Sequence, residues 1–367
     1  MTAPYEETME AEARDAASEA ERQPGIARPE RRWESRRNGG RSVRDESETS
    51  YYGLPVIHTP HWKLEIYTYF FLGGIAAASY VIASLVQLLG GAGDRRIVRA
   101  GRYISLATLI PSPILLVLDL GRPDRFHHML RVVKLRSPMS LGTWGLILFS
   151  AFSGLSALIQ AAHDGLFARA PGLARLLQAL PGRVIGLLGM GPAFFVSGYT
   201  GVLLVATAVP LWAKNYLLLG PLFIASSIST ATSAIALVLA LGRSTSHRTL
   251  ARLERLEILA LLVELGLILT ARANAGPIIS RPIREGRLGW IFRAGVLGTG
   301  IVAPLGLLAK SVPPGTKPSR FLTALTSTLV LVGGFLLRYV MVTAGRASAA
   351  DPQATFELTK ANGRRPS

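Results

Sequence analysis

Runs of apolar residues with almost no charge among them recur along this chain, and most are long enough to cross a hydrocarbon core about 30 Å thick. Inside lipid no water satisfies backbone amides and carbonyls, so only helices or closed barrels can occupy such a position. The alternating pattern of a barrel strand is missing from the runs, which leaves helices. The expected fold is all-α, an integral membrane bundle of about eight transmembrane helices. They are expected at Leu64–Leu89, Tyr103–Leu118, Leu141–Ala161, Val184–Leu211, Tyr216–Leu241, Leu256–Ala271, Trp290–Ala309 and Phe321–Thr343. An even number of crossings puts both termini on one side.

Composition matters chiefly for what it excludes. The formal net charge is +17, but the basic residues sit in short loops between apolar runs, without a nucleic-acid motif. They read as anchors for lipid headgroups, and nucleic acid is not an expected partner. Loops after the odd-numbered spans carry slightly more Lys and Arg, so the positive-inside rule points to those loops as cytoplasmic and to the termini as external. The chain has no cysteine, hence no thiolate for an iron–sulfur cluster and no disulfide. Its six histidines, His58, His61, His127, His128, His163 and His247, all fall outside the middle of the apolar runs, where a haem would need its ligands. No haem and no metal are therefore expected in this chain.

Three parts follow from this pattern. Residues 1–50 are rich in Glu, Arg, Ala and Ser and are expected to be a disordered charged extension. They lack the short apolar stretch of a signal peptide. Residues 51–346 form the membrane domain, and 347–367 a C-terminal tail. Within the domain, Gly73, Gly74, Ala77, Ala78, Gly198, Gly201, Gly333 and Gly334 mark faces where helices can approach closely. Pro111 and Pro113 interrupt the second span, with Thr108 and Ser112 nearby to satisfy freed carbonyls.

Ionisable residues inside lipid are costly, so the few present carry the functional signal. Glu254, Glu257 and Glu264 lie three and seven residues apart, on one helical face. They form a ladder of about 15 Å at 1.5 Å per residue. A carboxylate so deep is hard to keep ionised without a partner, which suits proton transfer as well as a structural hydrogen bond. Glu257 and Glu264, with Asp119 at the end of the second span, are the candidate proton path. Glu254 is expected at the surface beside Arg252 and Arg255. Arg338 is expected in a structural ion pair, with Asp119 the candidate acid. Pro123 can open an interfacial helix bearing Phe126, Met129, Leu130 and Val133, beside which His127 and His128 stand. Trp62, Tyr67 and Tyr69 fit an interfacial aromatic belt, Glu65 lies one residue inside the apolar run, and Tyr199 is a phenol in mid-helix that needs a partner.

Several segments in order resemble one family. They are Tyr69-Phe-Phe-Leu-Gly-Gly-Ile-Ala-Ala-Ala, Leu118-Asp-Leu-Gly-Arg-Pro, Ser137-Pro-Met-Ser with Trp144, Gly198-Tyr-Thr-Gly-Val-Leu-Leu through Val209-Pro-Leu-Trp, and Gly333-Gly-Phe-Leu-Leu-Arg-Tyr-Val with Arg346. Over residues 58–350 the chain is similar to the NrfD/PsrC membrane subunits of polysulfide-reductase-like complexes. The resemblance implies a quinone-interacting anchor in the cell membrane, not catalytic alone, with quinone or quinol as bound substrate. It also implies a four-cluster, ferredoxin-like iron–sulfur subunit as partner and, beyond it, a catalytic subunit, often a molybdopterin enzyme. That partner docks on the face bearing the termini and the Asp119–Arg136 loop. In polysulfide reductase an Asn and a His at the start of the first helix and a Tyr on a later one hold the quinone. Here the His position falls on Tyr67 and the Asn position on Leu64, next to Glu65, a departure from the family pattern, and Tyr199 is matched to the later Tyr. Glu65, Tyr67, His127 and Tyr199 are thus the candidate quinone site. Two other classes compete: a secondary transporter or ion channel using the acidic ladder, and a passive anchor without quinone chemistry.

Overall fold

The structure is a computed structural model that describes residues 57, 60, 62, 64–120, 122–131, 133–134, 136–242, 247–309 and 319–363. The charged extension, together with His58 and His61, lies outside them. The described residues form an all-α bundle of long helices joined by short ones. We number these α1 (Leu64–Leu89), α2 (Arg95–Leu118), α3 (Pro138–His163), α4 (Pro171–Ala179), α5 (Gly182–Val205) and α6 (Pro210–Lys214). The rest are α7 (Leu219–Leu241), α8 (His247–Ile279), α9 (Gly286–Ala309), α10 (Arg320–Ala350) and α11 (Pro352–Gly363). Seven are long and apolar enough to cross a membrane, and α8, which carries the three glutamates, is the remaining long helix. Together they make the eight-helix membrane bundle expected from the apolar runs.

Two helices form its centre. In α1, 78% of the most apolar stretch is buried, against 28% in α2, so α1 is surrounded by protein and α2 faces lipid along most of its length. α7 is the other inner helix, and α1 packs on α2, α5, α7 and α10. The small residues do what the sequence suggests: Gly73, Gly74, Ala77, Ala78, Gly198, Gly201, Gly333 and Gly334 are all buried. The closest approach is between α9 and α10, where a side chain on Gly333 would run into the backbone of Gly300. The rings of Trp62 and Trp212 stack at 5.2 Å, and Trp212 donates from Nε1 to the Met341 carbonyl at 2.9 Å. These contacts tie α6 and α10 to the residues preceding α1.

Helix boundaries depart from expectation where charge or proline intervenes. α2 begins eight residues before Tyr103 because Arg95, Arg96 and Arg99 point out while Ile97 and Val98 point in. At its interruption, Thr108 and Ser112 donate to the carbonyls of Ile104 and Thr108 (2.8 and 2.9 Å). They do not serve Ala107 and Leu109, whose usual amide partners Pro111 and Pro113 replace. α5 stops at Val205 rather than Leu211, since the residue before Pro210 avoids helical geometry. α9 is π-helical over Ile291–Val302. α8 is far longer than Leu256–Ala271, extending through charged residues at both ends until Gly276, at φ 73°, breaks its regular geometry. α10 continues to Ala350, and α11 follows.

Candidate functional site

α8 lies against α7, and its carboxylates meet a row of hydroxyls there. Glu254, Glu257 and Glu264 are all buried. Ser229 Oγ donates to Glu264 Oε2 at 2.7 Å, and Ser233 Oγ donates to Glu257 Oε1 at 2.7 Å. Thr323 of α10 donates to Glu254 Oε1, also at 2.7 Å. Glu254 and Glu257 therefore have one hydroxyl donor each and Glu264 has two, Ser229 and Ser226, and hydroxyls both donate and accept. Glu257 Oε2 is buried without a partner among the described residues. Glu254 is not at the surface, as expected from its arginine neighbours: Arg252 turns away to Asp94, and the glutamate turns inward to Thr323.

The ladder ends on Arg338. This side chain is fully buried about midway along α10, and its guanidinium turns inward to α7 rather than outward toward Asp119. Nη1 donates to Ser226 and to the Gly334 carbonyl (3.3 Å), and Nη2 donates to Ser227 at 3.3 Å. The guanidinium carbon lies 5.2 Å from the centre of the Phe223 ring. Ser226 also hydrogen-bonds Glu264, so the hydroxyl bridges the buried acid and the buried base. A side chain on Gly74 of α1 would collide with Ser227, so that glycine makes room for the cluster. The result is a row of buried acids, Glu254, Glu257 and Glu264, each met by hydroxyls, with Glu264 joined to Arg338 through Ser226.

The other candidates lie toward the opposite face. Tyr67, half-buried, packs edge-on against Phe335 and Tyr339 of α10, with ring centres 5.9 and 5.4 Å away. Those two residues flank Arg338 in sequence. Beside Tyr67, Glu65 Oε2 is buried with no partner among the described residues. Tyr199 is buried, donates to the Pro138 carbonyl of α3 and stacks on Phe195 with centroids 5.1 Å apart. Gly142 leaves the space its ring occupies.

The residue of α1 that Tyr199 faces is Tyr69, not Tyr67. Two positions along a helix turn a side chain through about 200°, so Tyr67 and Tyr199 lie on opposite sides of α1. They do not share a pocket. His127 is exposed on a 3₁₀ segment, Pro123–Leu130, with its ring 4.3 Å from that of His128. Asp119 is half-buried at the end of α2, on the other side of the membrane from Glu254, and does not join the ladder. The structure therefore groups Glu65 with Tyr67, and Glu257 with Glu264 and Arg338; His127, Asp119 and Tyr199 stand apart.

Sequence reasoning missed the donors. Ser226, Ser227, Ser229, Thr230, Thr232 and Ser233 crowd one apolar span, and 226, 229 and 233 recur at helical spacing. That stripe was the available signal for what the glutamates face. A second buried cluster was missed as well. Arg102 of α2 donates to Gln87 Oε1 at 3.0 Å and lies over the Tyr80 ring at 4.4 Å.

Comparison with known proteins agrees with this architecture. The chain is 28% identical over 305 residues to the C subunit of polysulfide reductase from Wolinella succinogenes, an alignment that covers 78% of this chain and 94% of that protein. The family profile described as polysulphide reductase, NrfD, matches residues 57–350, which span the bundle from the start of α1 to the end of α10. The chain belongs to the NrfD family, and so to the multi-pass membrane subunits of oxidoreductases.

Proposed function

We propose that this subunit passes electrons between membrane quinone and an iron–sulfur subunit docked on the face where α1 begins, and handles the accompanying protons. The observation that supports it best is the row of buried acids from Glu254 to Glu264. A purely structural bundle has no need of three buried acids in series, each met by hydroxyls and, among the described residues, with no countercharge beyond Arg338. Hydroxyls alternating with carboxylates are groups that accept a proton on one side and release it on the other.

Glu65 and Tyr67 are the residues proposed to face the ring. Glu65 Oε2, buried and unpartnered among the described residues, fits the hydroxyl of a quinol, and the Tyr67 phenol can donate to a second oxygen. A quinol supplies two electrons and two protons. Glu65 would accept one proton at Oε2 and the second would leave to water at that face, while both electrons pass to the docked iron–sulfur subunit and Tyr67 fixes the ring's orientation through the aromatic wall of Phe335 and Tyr339. Arg338 stands on the same helix as that wall but turns to another side, toward α7. Tyr199 and His127 are left with lesser parts, Tyr199 bracing α3 against α5 and His127 standing on the docking face. The catalytic subunit beyond the iron–sulfur partner, of the molybdopterin kind, and a location in the cell membrane complete the proposal.

The test is quinol-dependent turnover in membranes that hold the whole complex. Glu65→Gln is expected to lower it by about 100-fold, the scale of a lost general base. Tyr67→Phe, which keeps the ring and loses the hydroxyl, is expected to raise the apparent KM for quinol more than it lowers kcat. Full turnover in both variants would overturn the assignment. Solute flux through the purified chain in proteoliposomes, without any partner, would favour a transporter instead.

A further inference from the structure

A cavity of about 680 Å³ opens on the side of the bundle away from the start of α1, between the ends of α1 and α3 and the beginnings of α2 and α5. Its walls carry Arg95, Arg96, Arg99 and Arg183, with Gln87 and Asp164 among the remaining lining residues. Only one of these arginines is neutralised within the cavity. Arg99 Nε lies 2.9 Å from Asp164, and that carboxylate also accepts from Tyr103 (2.6 Å) and Gln160 (3.1 Å). Arg95, Arg96 and Arg183 have no ion pair among the described residues. Three uncompensated guanidinium groups around one concave space repel one another unless an anion lies between them.

The cavity is also held in place from within. Gln87 accepts from Arg102 through Oε1, so its amide NH2 is the group left to donate. Arg102 itself is buried, with Nη1 unpartnered among the described residues, and adds positive charge behind that wall. Two features fix the depth. Leu89 ends α1 strongly exposed, and the short amphipathic helix α4 exposes Leu173 and Leu176 while Gln178 anchors it to the Ala162 carbonyl at 2.7 Å. Exposed leucines beside clustered arginines mark the level where acyl chains meet headgroups.

We propose that this cavity binds the phosphate headgroup of an anionic phospholipid, with its acyl chains running down the leucines beside it. Arginine forks match phosphate oxygens bidentately, and the apolar rim favours a lipid over free phosphate. The experiment is native mass spectrometry of the full-length chain, with the subunits that co-purify, in detergent supplemented with phosphatidylglycerol, phosphatidylcholine or inorganic phosphate. The variant Arg95→Gln/Arg96→Gln/Arg183→Gln is compared with Arg125→Gln/Arg131→Gln/Arg287→Gln, which removes equal charge from the opposite face, after both elute as the native protein does. Wild type and the opposite-face variant should hold phosphatidylglycerol in preference to phosphatidylcholine. The cavity variant should lose about 100-fold in that affinity, at about 1 kcal/mol per arginine. Unchanged phosphatidylglycerol binding in the cavity variant, or an equal loss in the opposite-face variant, would overturn the proposal. Displacement of the lipid by inorganic phosphate would reassign the cavity to a free anion.

Discussion

Among the described residues two arginines lie inside the bundle, Arg338 on α10 and Arg102 on α2, and their surroundings differ in kind. Arg338 is met by serine hydroxyls, a backbone carbonyl, a phenyl face and, through Ser226, the carboxyl of Glu264. Arg102 is met by an amide oxygen and the face of Tyr80. Tyr80 in turn donates to the Ile185 carbonyl at 2.9 Å and hydrogen-bonds Ser156 at 3.2 Å. An amide and an aromatic ring hold a cation but cannot take its proton or change charge beside it. A carboxyl behind a hydroxyl can do both. The first cluster therefore sets a cation beside a group able to exchange a proton, as the proposed function requires, and the second holds a cation that clamps α1 to α2.

That contrast breaks if the two arginines respond alike. The largest effect is expected at Arg338→Leu. Removing one partner from a buried, hydrogen-bonded charge cluster costs about 3–5 kcal/mol. The unfolding temperature of the purified protein should fall steeply, and quinol-dependent turnover should fall to background. The double variant Arg338→Leu/Glu264→Leu should recover much of the unfolding temperature and none of the turnover. Recovery of both would mean that the pair is only a structural clamp.

Glu264→Gln comes next and isolates the chemistry. The amide is isosteric and still accepts the Ser229 hydroxyl, so thermal stability should change little. Turnover should drop by about 100-fold, the range typical of a lost acid–base group. Arg102→Leu should show the converse pattern. Gln87 loses its donor, and the protein should lose about 1–3 kcal/mol of stability, while the complex that remains folded turns over near the wild-type rate per molecule. A turnover defect in Arg102→Leu as deep as that of Glu264→Gln would mean that the α1–α2 cluster is also in the proton route.

How much of this is legible in the sequence follows the same physical division. Membrane spans are set by the length of apolar runs, a one-dimensional property, and every expected crossing corresponds to a long helix. Glutamate spacing is one-dimensional too, and it puts three acids on one helical face. What the residues around a charge are depends on how helices are rotated against one another, which a single chain does not display. Arg252 and Glu254 are two apart, so one reaches Asp94 at the start of α2 and the other turns to Thr323 of α10; read along the sequence they look like one surface pair. Tyr67 and Tyr69 divide in the same way between α10 and Tyr199. Serine in a membrane helix is ambiguous because it can bond its own backbone, as Ser233 does to the Ser229 carbonyl (2.8 Å) while also serving Glu257.

Ser233→Ala is the smallest effect and the sharpest probe of the comparison. It removes one hydroxyl from α7 and nothing else, leaving Glu257 with neither carboxyl oxygen hydrogen-bonded, since Oε2 has no partner among the described residues. A lost hydrogen bond to a buried group costs about 1 kcal/mol, and the cost is larger for the charged form of the acid than for the neutral one. A structural role for the ladder therefore predicts a small fall in unfolding temperature and unchanged turnover. A proton route predicts a turnover loss of several-fold at an almost unchanged unfolding temperature, because the hydroxyl is the hydrogen-bond partner of Glu257 in that route. Ser233→Thr, which restores the hydroxyl, should recover the rate. The equivalent change in the other cluster, Tyr80→Phe, removes hydroxyl contacts to α3 and α5 and should lower the unfolding temperature without altering turnover.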